Sequence, residues 1–218
     1  MTPQTTAPAP GARPRLRGVV HHYAFYASLA AGALLVARAP DHRALVAGAI
    51  YTGSLSALLG VSALYHRVTW SVPARRWMGR LDHSMINVLI AGTYTPFGMV
   101  AASGTLAAFL LGVAWIGAAA NILVHLLWLD APKWLSAAVY VGLGWVGVTA
   151  TPQLVHQIGW TPIALLFAGG VVYSLGALVY ALRRPDPLPA VFGYHEIFHV
   201  LVVVAALAHY LAVSLTLL

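Results

Sequence analysis

The chain has 218 residues, of which 60% are hydrophobic and only 8% are charged, and its formal net charge is +7. A soluble domain carries about 25% charged residues, so the composition excludes a water-soluble globular protein and predicts an integral membrane protein. The length suits one domain of spanning helices, each about 20 residues long. Cysteine is absent, which excludes disulfides and thiolate ligands, so any metal site must use histidine or carboxylate groups.

The N-terminal residues 1–18 are rich in Pro, Thr and Ala and include Arg13, Arg15 and Arg17. We expect these residues to form a disordered, basic cytoplasmic tail. The apolar run that follows is long enough to span a membrane and lacks a cleavage-site pattern, so we predict no signal peptide. Residues 19–218 are expected to form a single transmembrane domain.

Seven apolar segments follow the tail and predict an all-α, seven-transmembrane helix bundle. Their predicted ranges are 19–38, 43–66, 81–101, 105–127, 133–151, 161–182 and 195–217. The connections between them are short and rich in Gly, Pro and Ser.

The basic residues predict the orientation of this bundle. With the N-terminus inside, only Arg38 and Arg43 fall outside, whereas ten basic residues fall inside: Arg13, Arg15, Arg17, Arg67, Arg75, Arg76, Arg80, Lys133, Arg183 and Arg184. This positive-inside pattern predicts a cytoplasmic N-terminus and an extracytoplasmic C-terminus in the plasma membrane of a bacterial-type cell. Because it also accounts for the basic excess, we expect membrane lipids, and no nucleic acid, as partners.

Ionisable residues gather where three predicted helices end on the inside. The stretches are SALYH (62–66), LDHS (81–84) and HEIFH (195–199). An ionisable side chain at the centre of a spanning helix costs about 2.5–3.5 kcal/mol, so such residues mark candidate sites.

The spacing within these stretches predicts a metal site. His195 and His199 are four residues apart, so they share one face of a helix and can bind one ion. His66 can supply a third nitrogen, which would leave an open position as in catalytic zinc sites. Asp82 can orient a ligand or a water molecule, and Ser62, one turn before His66, can add a hydroxyl group.

Most other histidines are expected to lie at the membrane interface or in outside loops: His21, His22, His42 and His156. His209 is about 15 Å along its helix from His199, too far to share an ion. His83 and His125 lie towards the inner side and remain alternative ligands.

Together, the motifs S-x-x-x-H (62–66), LDHSMINVLIAGTYTPF (81–97) and GYHEIFHVLVVVAALAHY (193–210) resemble the hemolysin III family. This family belongs with the progestin and adipoQ receptors and, more distantly, with the alkaline ceramidases. The resemblance implies a seven-helix bundle with zinc near the cytoplasmic face. It implies His66, His195 and His199 as ligands, with Asp82 and Ser62 close to the metal-bound water.

Three functions are compatible with this pattern. The first is a zinc-dependent hydrolase of membrane lipids, or a lipid sensor, acting in membrane homeostasis. The second is a pore-forming, cytolytic protein with structural zinc, although the fourth to sixth segments lack a polar stripe. The third is an intramembrane metalloprotease with Glu196 of the H-E-x-x-H match as its base, but we expect Glu196 to pair with Arg183, Arg184 or a lipid headgroup instead.

Overall fold

The computed structural model describes residues 14–127 and 133–218, except for the side chains of His125 and residues 133–136. Within these ranges the chain forms eight α-helices and no β-strand. The helices are α1 (Val19–Ala37), α2 (His42–Arg67), α3 (Val72–Pro96), α4 (Gly104–Leu127), α5 (Lys133–Trp145), α6 (Thr151–Ile158), α7 (Trp160–Leu182) and α8 (Tyr194–Leu217).

These helices form seven spans that are long and apolar enough to cross a membrane, because α5 and α6 join into one span. The seven-helix prediction is therefore confirmed, and the protein is a multi-pass membrane protein. Large apolar side chains face outward along the bundle, and the aromatic side chains of Trp77 and Trp160 are exposed towards its opposite ends. Interfacial aromatic residues of this kind are typical of membrane proteins.

The third helix differs from its predicted range of 81–101. It begins nine residues earlier, at Val72, after Ser71 at its N-cap and with Pro73 in its first turn, where proline is favoured. Hydropathy missed this part because it carries three arginines. Beyond Pro96 the helix continues as a π-helical segment, Phe97–Ala101.

The fifth span also differs from its predicted range of 133–151. After Trp145 the chain tightens into a 3₁₀ segment, Val146–Ala150, and then continues as α6 to Ile158. The predicted boundary at residue 151 fell where Pro152 follows Thr151, but proline is tolerated in the first turn of a helix.

Helix α2 lies at the centre of the bundle, packed against α1 and α3, while α7 packs against α8. The buried side chains of α2 include Tyr51, Leu55 and Leu58. At one end of the bundle, α1, α3 and α8 begin while α2 and α7 end. We call this the site end, because the ionisable residues of 62–66, 81–84 and 195–199 meet there.

Residues 14–18 cross the site end as an N-terminal strap. The backbone N–H groups of Arg15 and Leu16 donate to the carbonyls of Ala190 and Val191, in the connection before α8, at 3.1 Å each. These five residues are therefore held by specific contacts, which differs from the predicted disordered tail. Residues 1–13 of that tail lie outside the described residues, as does the connection 128–132.

Candidate metal centre

Three histidines from two helices converge at the site end. His66 lies in the last turn of α2, and His195 and His199 lie in the first two turns of α8. One ring nitrogen from each lies within 4.8 Å of the other two, and the Nε2 atoms of His66 and His195 are 3.3 Å apart. His66 and His199 are buried, and His195 is half-buried.

This donor set fits a zinc-type ion. Zinc–nitrogen distances of about 2.0–2.1 Å in a tetrahedral site place ligand nitrogens roughly 3.3–3.4 Å apart. The distance between the His66 and His195 nitrogens already has this value. The His199 nitrogen lies within 4.8 Å of both, so its ring would need only a small movement towards them. Imidazole is a ligand for several divalent metals, so the donors favour zinc without excluding others. Metal ligation by these three residues remains a prediction.

Asp82 and Ser62 lie beside the three histidines, as predicted. The Oδ2 atom of Asp82 is 3.8 Å from Nε2 of His66. The Ser62 hydroxyl lies beside the Asp82 carboxylate, and Ser62 itself is buried one turn before His66. The arrangement can hold a carboxylate close to the ion site and fix its orientation.

His21 belongs to this site, although the sequence predicted an interfacial position. Its side chain is only 2% exposed, and its ring stacks on His199 with centroids 3.9 Å apart and an interplanar angle of 21°. Neither ring nitrogen makes a hydrogen bond of ordinary geometry to a described residue. His21 therefore fixes the plane of the His199 ring by stacking.

Glu196 pairs with Arg17 of the strap, and the predicted partners Arg183 and Arg184 were wrong. Arg17 Nε donates to Glu196 Oε1, and the Gly193 backbone N–H donates to Oε2 at 2.8 Å. Glu196 is buried, and one of its oxygens joins the start of α8 to the strap while the other caps that helix at Gly193. This arrangement gives Glu196 a structural role that disfavours the protease hypothesis.

The other described histidines are not members of this three-histidine group. His83 Nδ1 contacts the Gly79 carbonyl at 2.6 Å, and His209 Nε2 contacts the Leu166 carbonyl at 3.1 Å deep in the bundle. His42 and His156 are exposed near the opposite end, at the start of α2 and within α6, not in loops as predicted. The side chain of His125 lies outside the described residues.

A cavity of about 1060 Å³ opens beside the histidines and runs into the bundle. Arginines line it at the site end, and apolar side chains such as Leu89, Phe97 and Ile163 line its deeper part. Its volume is at the upper end of the range for small-molecule sites, about 300–1,000 Å³. The candidate metal centre therefore lies where a charged mouth meets an apolar interior.

Comparison with known proteins decides the family. The profile of the family described as "Haemolysin-III related" matches residues 12–210, which is most of the chain. The chain belongs to this family. This membership confirms the resemblance that the three sequence motifs indicated.

Bacterial and animal proteins are similar to this haemolysin-III related chain. The "Hemolysin-3 homolog" of Bacillus subtilis (strain 168) is 33% identical over 71% of this chain and 70% of its own length. The "Hemolysin-3" of Bacillus cereus is 31% identical over 84% of this chain and 82% of its own length. The "Adiponectin receptor protein" of Drosophila melanogaster is 31% identical over 78% of this chain and 42% of its own length.

Proposed function

We propose that this haemolysin-III related protein is a metal-dependent hydrolase of membrane lipids, with amide lipids as the substrate class that the ceramidase resemblance implies. One observation carries the proposal. Three histidine nitrogens within 4.8 Å of one another lie at the mouth of a cavity whose deeper walls are apolar. Such a site places a scissile carbonyl beside a metal and an acyl chain in an apolar channel.

His66, His195 and His199 would hold the metal. Zinc bound by them would act as a Lewis acid, polarising a carbonyl oxygen and making a water molecule more acidic. Because three protein ligands leave one tetrahedral position open, this set is of the catalytic type. The stacked His21 ring and the Arg17–Glu196 pair keep the two α8 ligands in place.

Asp82 is the general base in this proposal. Its Oδ2 atom faces the histidines and can accept the proton that an attacking water molecule loses. The Ser62 hydroxyl beside it would help to hold the carboxylate in the orientation that this transfer needs. A general base contributes about 10²–10⁴ in rate, so its loss should be easy to measure.

The lipid substrate follows from the position of the cavity. Along α3 the lining extends from Arg75 to Phe97, a rise of about 33 Å at 1.5 Å per residue. This matches the hydrocarbon thickness of a bilayer, about 30 Å, so an acyl chain can extend into the bundle while its headgroup stays at the site end. The positive-inside pattern supports a position of that end at the cytoplasmic face.

The test compares Asp82→Asn with Glu196→Gln, since each variant removes one candidate base. Membranes of cells expressing each full-length variant would be analysed for amide lipids and released fatty acids, with metal content measured on the purified protein. Asp82→Asn should retain metal and lose hydrolysis by about 100-fold or more. Glu196→Gln should retain metal and turnover per folded molecule, but its thermal stability should fall because Arg17 loses its partner.

Two results would contradict this assignment. If Glu196→Gln abolishes hydrolysis while Asp82→Asn is active, the H-E-x-x-H match is catalytic and Glu196, not Asp82, is the base. If neither carboxylate affects lipid composition and only the histidines matter, the metal is structural, which favours a lipid sensor or a pore-forming protein.

A further inference from the structure

The mouth of the cavity carries more positive charge than the proposed hydrolysis uses. Arg75, Arg76 and Arg80 line it, all within the first three turns of α3. No carboxylate of a described residue lies within ion-pair distance of any of the three. Arg17 also lines the mouth, but it is paired with Glu196.

Arg75 and Arg76 lie close to the N-terminus of α3, where a bound anion would be stabilising. The N-terminus of a helix carries a partial positive charge, so cations there are destabilising and anions are stabilising. The first turn of α3 contains no acidic residue, and Ser71 makes no side-chain capping bond. Three arginines added to an uncapped N-terminus produce a strongly positive mouth that attracts negative charge.

Two of the guanidinium groups lie over aromatic rings. Arg75 lies over the Tyr65 ring, with Cζ 5.3 Å from the centroid, and Arg80 lies over Trp77 at 4.4 Å. Stacking fixes the plane of a guanidinium group and leaves its N–H edges available for bidentate contacts to an oxyanion. The Nη1 atom of Arg75 is buried without a hydrogen-bond partner among the described residues. A buried donor of this kind indicates an acceptor that belongs there.

The cavity-lining residues of α3 run from these arginines to the candidate metal centre. Two adjacent rows of α3 line the cavity, each with a spacing of mostly three or four residues: Arg75, Gly79, Asp82, Ile86, Leu89 and Thr93 in one, and Arg76, Arg80, His83, Ile90 and Tyr94 in the other. Arg75 and Asp82 are seven residues apart, so they share this face and are separated by about 10 Å along the helix axis. Gly79 lies between them, and the Tyr65 side chain packs closely against it, with its hydroxyl oxygen 3.2 Å from the position that a Cβ atom would take.

From this geometry we infer that the cavity takes an anionic lipid whose phosphate-type headgroup is bound by Arg75 and Arg80, with its acyl chain in the apolar interior. The inference rests on the proposed function in that it names the substrate class of the same site. The order of groups along α3 also sets the orientation of the lipid. Arg75 lies about 10 Å and Arg80 about 3 Å before Asp82 along the helix axis, so the anionic group lies on the site-end side of Asp82, and the hydrocarbon chain extends from Asp82 towards Phe97.

Binding of two ether lipids to the full-length protein tests this inference without turnover. The protein, in nanodiscs of zwitterionic phosphatidylcholine, is titrated with 1-O-hexadecylglycerol phosphate and with 1-O-hexadecylglycerol, and empty nanodiscs provide the background. The ether bond cannot be hydrolysed by an acyl hydrolase, and the titrations are repeated after chelation of metal. We expect about tenfold or greater preference for the phosphate lipid, with or without chelation.

Variants then assign the preference to the arginines. The Arg75→Gln/Arg80→Gln double variant should lose the preference, and Arg75→Lys/Arg80→Lys should retain part of it. The matched control is Arg183→Gln/Arg184→Gln, because these two arginines lie at the same end but outside this cavity. The control should bind within about twofold of the unmodified protein, as expected for exposed charges away from a site.

Equal affinity for the two ether lipids would overturn the inference, as would a loss of preference in the control variant. Inorganic phosphate competing as strongly as the phosphate lipid would also overturn it, since the ligand would then be a free anion. Because neither probe is hydrolysed and metal is removed in one arm, failure here leaves the hydrolase proposal standing. If the protein prefers the phosphate lipid but binds no metal or hydrolyses no lipid, only the hydrolase proposal is contradicted.

Discussion

At the residue scale, Gly18 connects the N-terminal strap to the candidate metal centre. Its φ of +76° is in the left-handed region that favours glycine. A methyl group added there would lie 2.7 Å from Cβ of His66 and 3.2 Å from Cγ of Arg67. The strap can therefore lie against the last turn of α2 only because residue 18 has no side chain.

Gly18→Ala should displace His66 and weaken metal binding. Gly104→Ala is the matched control, because Gly104 also has a positive φ, +58°, but no atom lies within 4 Å of its added methyl group. Both variants should lose about 1–2 kcal/mol of stability from the backbone conformation. Titration of the purified proteins with zinc should show reduced affinity for Gly18→Ala alone, and equal affinities in both variants would contradict the contact with His66.

The same scale shows which site residues could be predicted from the sequence. His195 and His199 could be predicted because their spacing of four puts them on one helix face. His66 and Asp82 could be predicted because the topology brings their segments to the same side of the membrane. His21 could not be found, since its stacking on His199 joins residues far apart in the sequence and depends on how α1 packs. The Arg17–Glu196 pair was missed for the same reason.

At the element scale, close packing of α2 against α3 positions Ser62 and His66 opposite Asp82. Gly92 of α3 lies against Ser54 of α2, and an added methyl group would be 2.7 Å from the Ser54 Cβ atom. Small residues at such contacts let helix backbones approach closely, as is common in membrane bundles. Hydropathy predicted both spans but gave no information on this contact.

Gly92→Ala should move α2 and α3 apart and lower the free energy of unfolding by about 1–3 kcal/mol, the usual scale for overpacking. Gly112→Ala in α4 is the control, since no atom lies within 4 Å of its added methyl group. That variant should keep or slightly raise stability, because alanine is the better helix residue. The double variant Gly92→Ala/Ser54→Gly should recover part of the loss, and unchanged stability in Gly92→Ala would refute the close contact.

At the scale of the whole molecule, the number of spans could be predicted because composition and hydropathy report immersion in lipid directly. The start of α3 could not, because its arginine-rich first turns are helical without being apolar. The length of the fifth span was underestimated because the predicted boundary fell at Pro152, although the chain continues beyond it as α6 to Ile158. Orientation in the membrane remains a prediction from the basic residues.

Cysteine labelling can test that orientation, because the chain contains no cysteine of its own. Val72→Cys places a thiol on an exposed position at the site end, and Leu218→Cys places one on an exposed position at the other end. In intact cells, a membrane-impermeant maleimide should label Leu218→Cys and should label Val72→Cys only after lysis. The reverse pattern would put the candidate metal centre at the extracytoplasmic face and contradict the positive-inside argument.

Elemental analysis of the purified full-length protein tests whether one metal ion is bound by three histidines from α2 and α8. We expect about one zinc per chain. His66→Ala, His195→Ala and His199→Ala should each lose most of this metal, while His209→Ala and His83→Ala should retain it. The ligand assignment would be contradicted if His66→Ala kept a full equivalent of zinc while His83→Ala lost it. It would also be contradicted if the unmodified protein bound no metal.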